Sequence, residues 1–219
     1  MARALIFDFD GTILDTEMPV YRGWADLYEQ HGQVLDVVRW QQTIGTDNGD
    51  LHWNDLEALV GVLDPALQEW RRNRRDELLH AEVVRPGVRQ WLDDADALGI
   101  PLGIASSSPI DWVTTHLDRV GLLDRFACFA CCNEVIPAKP DPTSYRLACE
   151  TLHANPRRSV AVEDSPHGVA AAKDAGLFVV AVPHDLTRSL DFGRADVVVE
   201  SLEELSLRDV LHRRRRATS

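Results

Sequence analysis

The sequence predicts an α/β fold: a Rossmann-like parallel sheet core with helices on both faces, interrupted by an all-helical insert. Two observations carry this prediction. Short apolar runs are each followed by a turn and a helix-like pattern, which is typical of parallel strands buried on both faces. Residues 17–83, by contrast, contain no convincing strand and show helical patterns. We therefore predict one α/β domain from residues 1–16 and 84–219, and a helical domain from residues 17–83.

The predicted strands are the apolar runs at residues 4–9, 101–106, 126–131, 159–164, 178–182 and 196–199. The third run contains Cys128 and Cys131, with Cys132 next to it. No second cysteine pair has the spacing of metal ligands, so we interpret these cysteines as small apolar residues of a buried strand.

The helices between the strands have recognisable starts and ends. Residues 86–99 carry their apolar side chains on one stripe and stop at Gly99. Ser108 is predicted to cap a helix over residues 108–121 that begins with Pro109. Residues 165–176 repeat the Ser-Pro start and the Gly end. In the insert, helices are predicted at residues 19–31, 37–43, 51–62 and 64–80. We interpret their tryptophans as core residues, with the alternative that one of them lines a substrate pocket.

The charge and hydropathy of the chain exclude some classes of protein. A net charge of −12 disfavours a nucleic-acid-binding protein, which needs a basic surface. No apolar run reaches the roughly 18 residues of a membrane span, and the first strand leaves no room for a signal peptide. We therefore expect a cytoplasmic protein with no membrane partner. The basic run Arg213–Arg216 is interpreted as a solvated chain end.

Two acidic residues follow the first strand. Asp8 and Asp10 lie two positions apart, so in an extended chain both side chains point to one side. Ligands of open α/β sheets bind beyond the carboxyl ends of the strands, where these carboxylates are expected. A divalent cation, or a proton on one of them, relieves their repulsion. Two solvated acids at a strand end are the alternative.

Polar residues also follow other predicted strands. Ser106 ends the second strand beside a helix start, where a hydroxyl and free N–H groups favour an anion. Lys139 lies on a Pro-bounded loop after the third strand, and Glu163 and Asp164 end the fourth. Oxygen-rich acidic sites suit Mg²⁺, and a lysine beside them favours a phosphoryl group in transfer.

Four stretches in order resemble the motifs of the haloacid dehalogenase-like superfamily. They are "DFDGT" at residues 8–12, "IASSS" at 104–108, "KPDP" at 139–142 and "VEDSPHGVAAAKDAG" at 162–176. The first and last are most similar to the branch of phosphatases and β-phosphoglucomutases, and the helical insert resembles the cap domain of that branch. The resemblance spans nearly the whole chain.

This resemblance implies a role for each strand-end residue. Asp8 would be the nucleophile that accepts the phosphoryl group, and Asp10 the general acid and base. Ser106 and Lys139 would bind the phosphoryl oxygens.

The resemblance also implies that Mg²⁺ is the cofactor. Asp8, the backbone carbonyl of Asp10, and Asp164 would hold it, and Glu163 would be a further ligand or support one.

The function predicted in this way is Mg²⁺-dependent hydrolysis of a small phosphorylated metabolite, such as a sugar phosphate, through an aspartyl phosphate. A β-phosphoglucomutase is the first alternative. β-Phosphoglucomutases carry a His after the Asp-Thr pair of the first motif and tend to carry a Lys after the second-motif Ser. Here Met18 to Val20 provide no such His, and Pro109 replaces the Lys. A non-catalytic binding protein on the same scaffold is the second alternative. A monomer or weak homodimer is expected.

Two stretches of the insert are candidates for substrate contact. The turn at residues 43–50 could place Thr46 or Asp47 against the leaving group, although an ordinary turn between helices is the first interpretation. The basic run at residues 71–75 is interpreted as a solvated helix face, with contact to a second phosphate as the alternative.

Overall fold

The computed structural model describes residues 3–46, 50–133 and 135–217. In these ranges, six parallel strands form one sheet in the order β3-β2-β1-β4-β5-β6. The strands are β1 (Leu5–Phe7), β2 (Leu102–Ser106), β3 (Cys128–Cys131), β4 (Val160–Glu163), β5 (Phe178–Ala181) and β6 (Val197–Val198). Each predicted strand is present, and the predicted fold class is confirmed.

Helices cover the sheet and fill the insert. The cap helices, as we call those between β1 and the next core helix, are α1 (Glu17–Gln30), α2 (Val37–Gln41), α3 (Leu51–Val60) and α4 (Ala66–His80). The core helices are α5 (Val88–Ala97), α6 (Ile110–Arg119), α7 (Thr143–Thr151), α8 (Pro166–Asp174) and α9 (Leu207–Ala217). Helices α5 to α8 connect successive parallel strands, as the pattern of the sequence predicts, and α9 follows the last strand.

Alternation along the central strands builds a hydrophobic core on each face of the sheet. Leu5 and Phe7 of β1 belong to the core on one face, and Ile6 between them belongs to the core on the other. In β4, Val162 and Ala161 divide in the same way. Because both faces are buried, the strands are continuously apolar, and polar residues are confined to their ends.

The cap helices bury a cluster of their own. Trp24, Leu27 and Trp40 are among its buried members, and α1 packs against α4. Trp24 and Trp40 are therefore core residues of the cap, as predicted, and Trp40 also borders the space beside Asp10. Leu186 from the loop after β5 completes the cluster, so the cap and the core share an apolar contact. The domain division at residues 16–17 and 83–84 stays a prediction.

One predicted helix start is wrong. Ser108 was expected to cap α6, but the helix begins at Ile110, Pro109 is its N-cap residue, and no side chain caps it. The Ser108 hydroxyl donates instead to Asp10, as described below. The matching expectation for α8 is confirmed: Ser165 caps that helix by accepting a hydrogen bond from the Gly168 N–H.

Candidate active site

The carboxyl ends of three neighbouring strands bring the predicted residues together. In the sheet, Phe7 of β1 pairs with Ile104 of β2 and with Val162 of β4. Asp8 follows Phe7, Ser106 lies two residues after Ile104, and Glu163 follows Val162. These three residues therefore lie at the same edge of the sheet. The Asp8 N–H continues the ladder by donating to the Val162 carbonyl oxygen at 2.9 Å. The register of the strands therefore brings these three predicted site residues together.

Lys139 ties two of the acids together. Its Nζ donates to Asp8 Oδ1 and, at 2.7 Å, to Glu163 Oε1. Tyr145 OH donates to the same Glu163 oxygen at 2.5 Å. Lys139 is only 3% exposed, and burial alone would lower its pKa. The charges of Asp8 and Glu163 more than offset this and raise the pKa of Lys139 above its ordinary value.

A group of three buried carboxylates suits a divalent cation. Asp8, Glu163 and Asp164 each offer an oxygen within 4.8 Å of the others. Burial raises the pKa of the Asp8 carboxyl well above its ordinary value, although Lys139 opposes that shift, and the nearby acids add to it. Three carboxylates lie close together beside Lys139, and all the donor atoms are hard oxygens. The residues present therefore fit Mg²⁺.

Asp164 is fixed by residues that the sequence analysis did not single out. His184 Nε2 donates to Asp164 Oδ2 at 3.0 Å, and Thr12 Oγ1 donates to Oδ1 at 3.1 Å. Burial would raise the pKa of Asp164, but the hydrogen bond from His184 and nearby positive charges bring it below its ordinary value. His184 follows β5 at the same edge of the sheet, and that strand-end position was the signal that could have found it.

Gly11 leaves room for this arrangement. Its φ of +74° is a left-handed conformation, which glycine adopts without strain. A Cβ at this position would lie 2.3 Å from Asp164 Oδ2 and 3.0 Å from His184 Nε2. The glycine of the first motif is therefore required both by the turn and by the close approach of the acid.

Asp10 faces the cap instead of the three-carboxylate group. Its Oδ1 accepts hydrogen bonds from Thr16 Oγ1 at 2.7 Å and Trp112 Nε1 at 2.8 Å. Its Oδ2 accepts from Ser108 Oγ at 2.6 Å and lies 3.4 Å from Ser106 Oγ. The carboxylates of Asp8 and Asp10 have separate hydrogen-bond partners, and the expectation that both point into one crevice stays a prediction.

Trp112 joins Asp10 to the cap. The guanidinium of Arg75, on α4, lies 4.9 Å from the centre of the Trp112 ring, and the His116 ring packs edge-on against that ring at 4.2 Å. Trp112 could not be predicted as a site residue from the sequence. It has the pattern of an apolar helix residue, and its hydrogen bond to Asp10 spans 102 positions of the chain.

Hydrogen bonds hold the cap against the core close to the site. Gln41 Nε2 donates to the Leu186 carbonyl oxygen at 2.8 Å, and Ser107 Oγ donates to the Gly45 carbonyl oxygen at 2.9 Å. His167 Nδ1 donates to the Ile44 carbonyl oxygen at 3.0 Å. His167 is half-buried at this contact. Thr46 borders the space beside Asp10, whereas Asp47 lies outside the described residues.

A sequence profile described as haloacid dehalogenase-like hydrolase matches residues 2–176. The chain belongs to this family. The hydrolase class predicted from the motifs is thereby confirmed, and the match covers the first strand, the cap helices and the strand ends that carry Ser106, Lys139 and Asp164.

Three similar proteins place this family member more closely. YhcW of Bacillus subtilis is 40% identical over 209 residues, covering 94% of this chain and 95% of YhcW. Validoxylamine A 7'-phosphate phosphatase of Streptomyces hygroscopicus subsp. limoneus is 28% identical over 208 residues, covering 94% and 96%. The crystal structure of CbbY from Rhodobacter sphaeroides in complex with phosphate superposes with a TM-score of 0.78 at 28% identity, covering 96% and 99%.

These matches extend over nearly the full length of the chain, so the family member shares both its core and its cap with them. Across the part of the chain that the structure describes, no helix has the length and apolar character needed to cross a membrane.

Proposed function

We propose that this hydrolase is a Mg²⁺-dependent phosphatase that removes the phosphoryl group of a small phosphorylated metabolite through an aspartyl phosphate on Asp8. One observation carries the proposal: Asp8 lies in a buried group with Lys139, Glu163 and Asp164, while Asp10 is held apart beside the cap. Asp8 and Asp10 thus have different surroundings, which suits one to attack phosphorus and the other to carry the proton.

In the first step, an Asp8 oxygen attacks phosphorus and the ester oxygen leaves with a proton from Asp10. Lys139, within hydrogen-bond distance of Asp8, and Ser106 bind the phosphoryl oxygens. In the second step, Asp10 takes a proton from water as that water attacks the phosphorus of the aspartyl phosphate. Inorganic phosphate leaves and Asp8 is restored, so the protons and the phosphoryl group balance.

Asp8, Asp164 and the backbone carbonyl of Asp10 would hold Mg²⁺. Glu163 would support them through its hydrogen bonds with Lys139 and Tyr145. When bound, the ion supplies charge neutralisation between the carboxylate nucleophile and the phosphoryl oxygens. The cap contacts of Gln41 and His167 keep bulk water from the site during the first step.

A panel of phosphate monoesters, assayed for inorganic phosphate with Mg²⁺ and after chelation, tests the proposal. Turnover should depend on Mg²⁺, and Asp8→Asn should abolish it while the far-UV circular dichroism and the melting temperature show a folded protein. Phosphate release that survives Asp8→Asn would show that the nucleophile is a different residue.

The mutase alternative is tested with the same protein. β-Glucose 1-phosphate is supplied with a catalytic amount of the bisphosphate, and both glucose 6-phosphate and inorganic phosphate are measured. Because the residues typical of the mutases are missing at Met18 and Pro109, we expect phosphate release without isomerisation. Formation of glucose 6-phosphate would contradict the phosphatase assignment.

A further inference from the structure

A cavity of about 160 Å³ lies between the cap and the core beside Asp10. Because Asp10 is the proposed proton donor to the leaving oxygen, this cavity is where the rest of the substrate must lie. We call it the leaving-group pocket, and its lining includes Asp10, Glu17, Val20, Trp40, Thr43 and Trp112.

Trp40 carries an unused hydrogen-bond donor beside the leaving-group pocket. Its side chain lines the pocket, is 2% exposed and stacks on the His52 ring at 4.7 Å. Its indole Nε1 is buried and has no hydrogen-bond partner among the described residues. A buried donor without an acceptor is rare and costs about 1–3 kcal/mol, so a ligand hydroxyl that reaches Nε1 when the pocket fills is favoured.

The charge of the leaving-group pocket disfavours a second anionic group. Within the described residues, the lining contains two acids, Asp10 and Glu17, and no Lys, Arg or His. Burial, together with the charges of Asp10 and Asp164, raises the pKa of Glu17 well above its ordinary value, so a further negative charge here is unfavourable. The sequence at residues 47–49, Asp-Asn-Gly, adds no positive charge.

Three of the four arginines in the basic run at residues 71–75 contact other side chains of the protein. Arg71 stacks on Trp24 at 4.2 Å, and Arg74 pairs with Asp26 at 2.7 Å. Arg75, which lies over Trp112, pairs with Asp76 at 2.7 Å. The second-phosphate alternative for this run therefore has no support in these contacts.

The size of the leaving-group pocket sets a limit on the substrate. At roughly 30 Å³ for each water molecule, 160 Å³ holds about five water-sized groups, which suits a polyol of about three or four carbons. Hydroxyl groups supply the acceptor that Trp40 Nε1 needs and the donors that a carboxyl such as Glu17 accepts.

We infer that the leaving-group pocket selects the monophosphate of a small neutral polyol, with Trp40 and Glu17 binding its hydroxyls, and rejects bisphosphates. This inference rests on the proposed phosphatase function. It adds a substrate class and two specificity residues to that function.

The experiment compares kcat/KM for glycerol 3-phosphate, n-propyl phosphate and glycerol 1,3-bisphosphate, with p-nitrophenyl phosphate as a reference ester. The first two differ only in hydroxyl groups, so their ratio reports hydrogen bonding by the pocket. We expect the wild type to prefer glycerol 3-phosphate over n-propyl phosphate by about 10-fold or more. We expect glycerol 1,3-bisphosphate to be at least about 10-fold poorer than glycerol 3-phosphate.

Trp40→Phe keeps the ring and removes the donor. It should reduce the preference for glycerol 3-phosphate over n-propyl phosphate by about 5-fold. Trp53→Phe is the matched control, because Trp53 packs on the same cap cluster outside the pocket lining and should not change the ratio. If Trp40→Phe does not fold, the wild-type preferences alone still decide.

The outcomes separate this inference from the proposed function. If p-nitrophenyl phosphate is hydrolysed but n-propyl phosphate or the bisphosphate is preferred to glycerol 3-phosphate, the inference is overturned and the phosphatase function stands. An unchanged ratio in Trp40→Phe removes Trp40 from the inference. If none of the esters, including p-nitrophenyl phosphate, releases phosphate, the proposed function itself fails.

Discussion

The two halves of the candidate active site are built differently. The buried half, Asp8 with Lys139, Glu163 and Asp164, comes from the ends of core strands and is nearly inaccessible. The cap-facing half consists of Asp10 with Thr16, Ser108 and Trp112, and it borders the pocket under the cap.

The two halves of the site therefore have different roles. Neighbouring strand ends hold the buried charges in place whatever the cap does. The cap-facing half depends on the contact between Arg75 of the cap and Trp112 of the core. We therefore expect changes in the buried half to affect folding and chemistry together, and changes in the cap-facing half to affect mainly catalysis and substrate choice.

The largest effect is expected for Lys139→Met. Removing Nζ leaves Asp8 and Glu163 buried without their cation, which should lower the free energy of unfolding by about 3–5 kcal/mol and abolish measurable turnover. Chemical denaturation and a phosphate assay check this. Lys173→Met is the matched control: it breaks a partly exposed pair with Asp196 and should cost about 0–1 kcal/mol. Equal losses of stability in the two variants would contradict the claim that Lys139 stabilises the buried carboxylates.

A smaller effect, on catalysis, is expected for Trp112→Phe. The ring under Arg75 stays, but the N–H that orients Asp10 is lost, so kcat for an alkyl phosphate should fall by about 10-fold. With p-nitrophenyl phosphate, whose leaving group needs little protonation, the release of nitrophenol in the first turnover should slow less. Trp91→Phe, which removes an indole N–H bonded to the Leu202 and Leu205 carbonyls far from the site, should leave kcat unchanged. An equal slowing of the first turnover with both esters would contradict a positioning role for Trp112.

Glu17→Gln should raise stability in a pH-dependent way. Burial, with Asp10 and Asp164, raises the pKa of Glu17 in the folded state. Between the unfolded and the folded pKa the native protein binds more protons, so the wild type loses stability as pH rises through that window. The variant should melt about 2–4 °C higher than the wild type at pH 7, and the gain should shrink towards pH 4. A lower melting temperature at pH 7 would contradict the raised pKa.

The smallest effect is expected for Gln41→Ala, which removes the hydrogen bonds from the cap to Leu186 and Ser189. Losing about 1 kcal/mol of cap closure should raise KM by about 5-fold with little change in kcat. Gln42→Ala is the matched control, since Gln42 is exposed on the same turn. Steady-state kinetics of the two variants check this, and a fall in kcat with unchanged KM would place Gln41 in the chemistry instead.

The buried half of the site could be predicted from sequence because its residues follow apolar strands of the sheet. Alternation and strand order then fix where Asp8, Lys139 and Asp164 lie, and no distant contact is needed to place them. The N-cap residue of α8 could be predicted for the same reason, because Ser165 and Pro166 are adjacent in the chain.

The cap-facing half could not be predicted in this way. Ser108 has the sequence signature of a helix cap, yet its hydroxyl bonds Asp10 across 98 positions. His184 supports Asp164, and His167 supports the cap, through contacts that follow from packing and carry no local pattern. Such contacts join elements that meet only after folding, so residue type and spacing do not reveal them.

The most direct test uses Asp10→Asn with p-nitrophenyl phosphate and Mg²⁺, followed by acid quenching and peptide mass spectrometry. Asp8 should still attack phosphorus, because the nitrophenol leaving group needs little protonation. Hydrolysis of the aspartyl phosphate should be slow, because the variant lacks the base Asp10. The account predicts a burst of nitrophenol and a phosphoryl group on Asp8 that accumulates in this variant and is absent from Asp8→Asn. A phosphoryl group on another residue, or a burst with no phosphorylated peptide, would contradict the division of labour between the two halves.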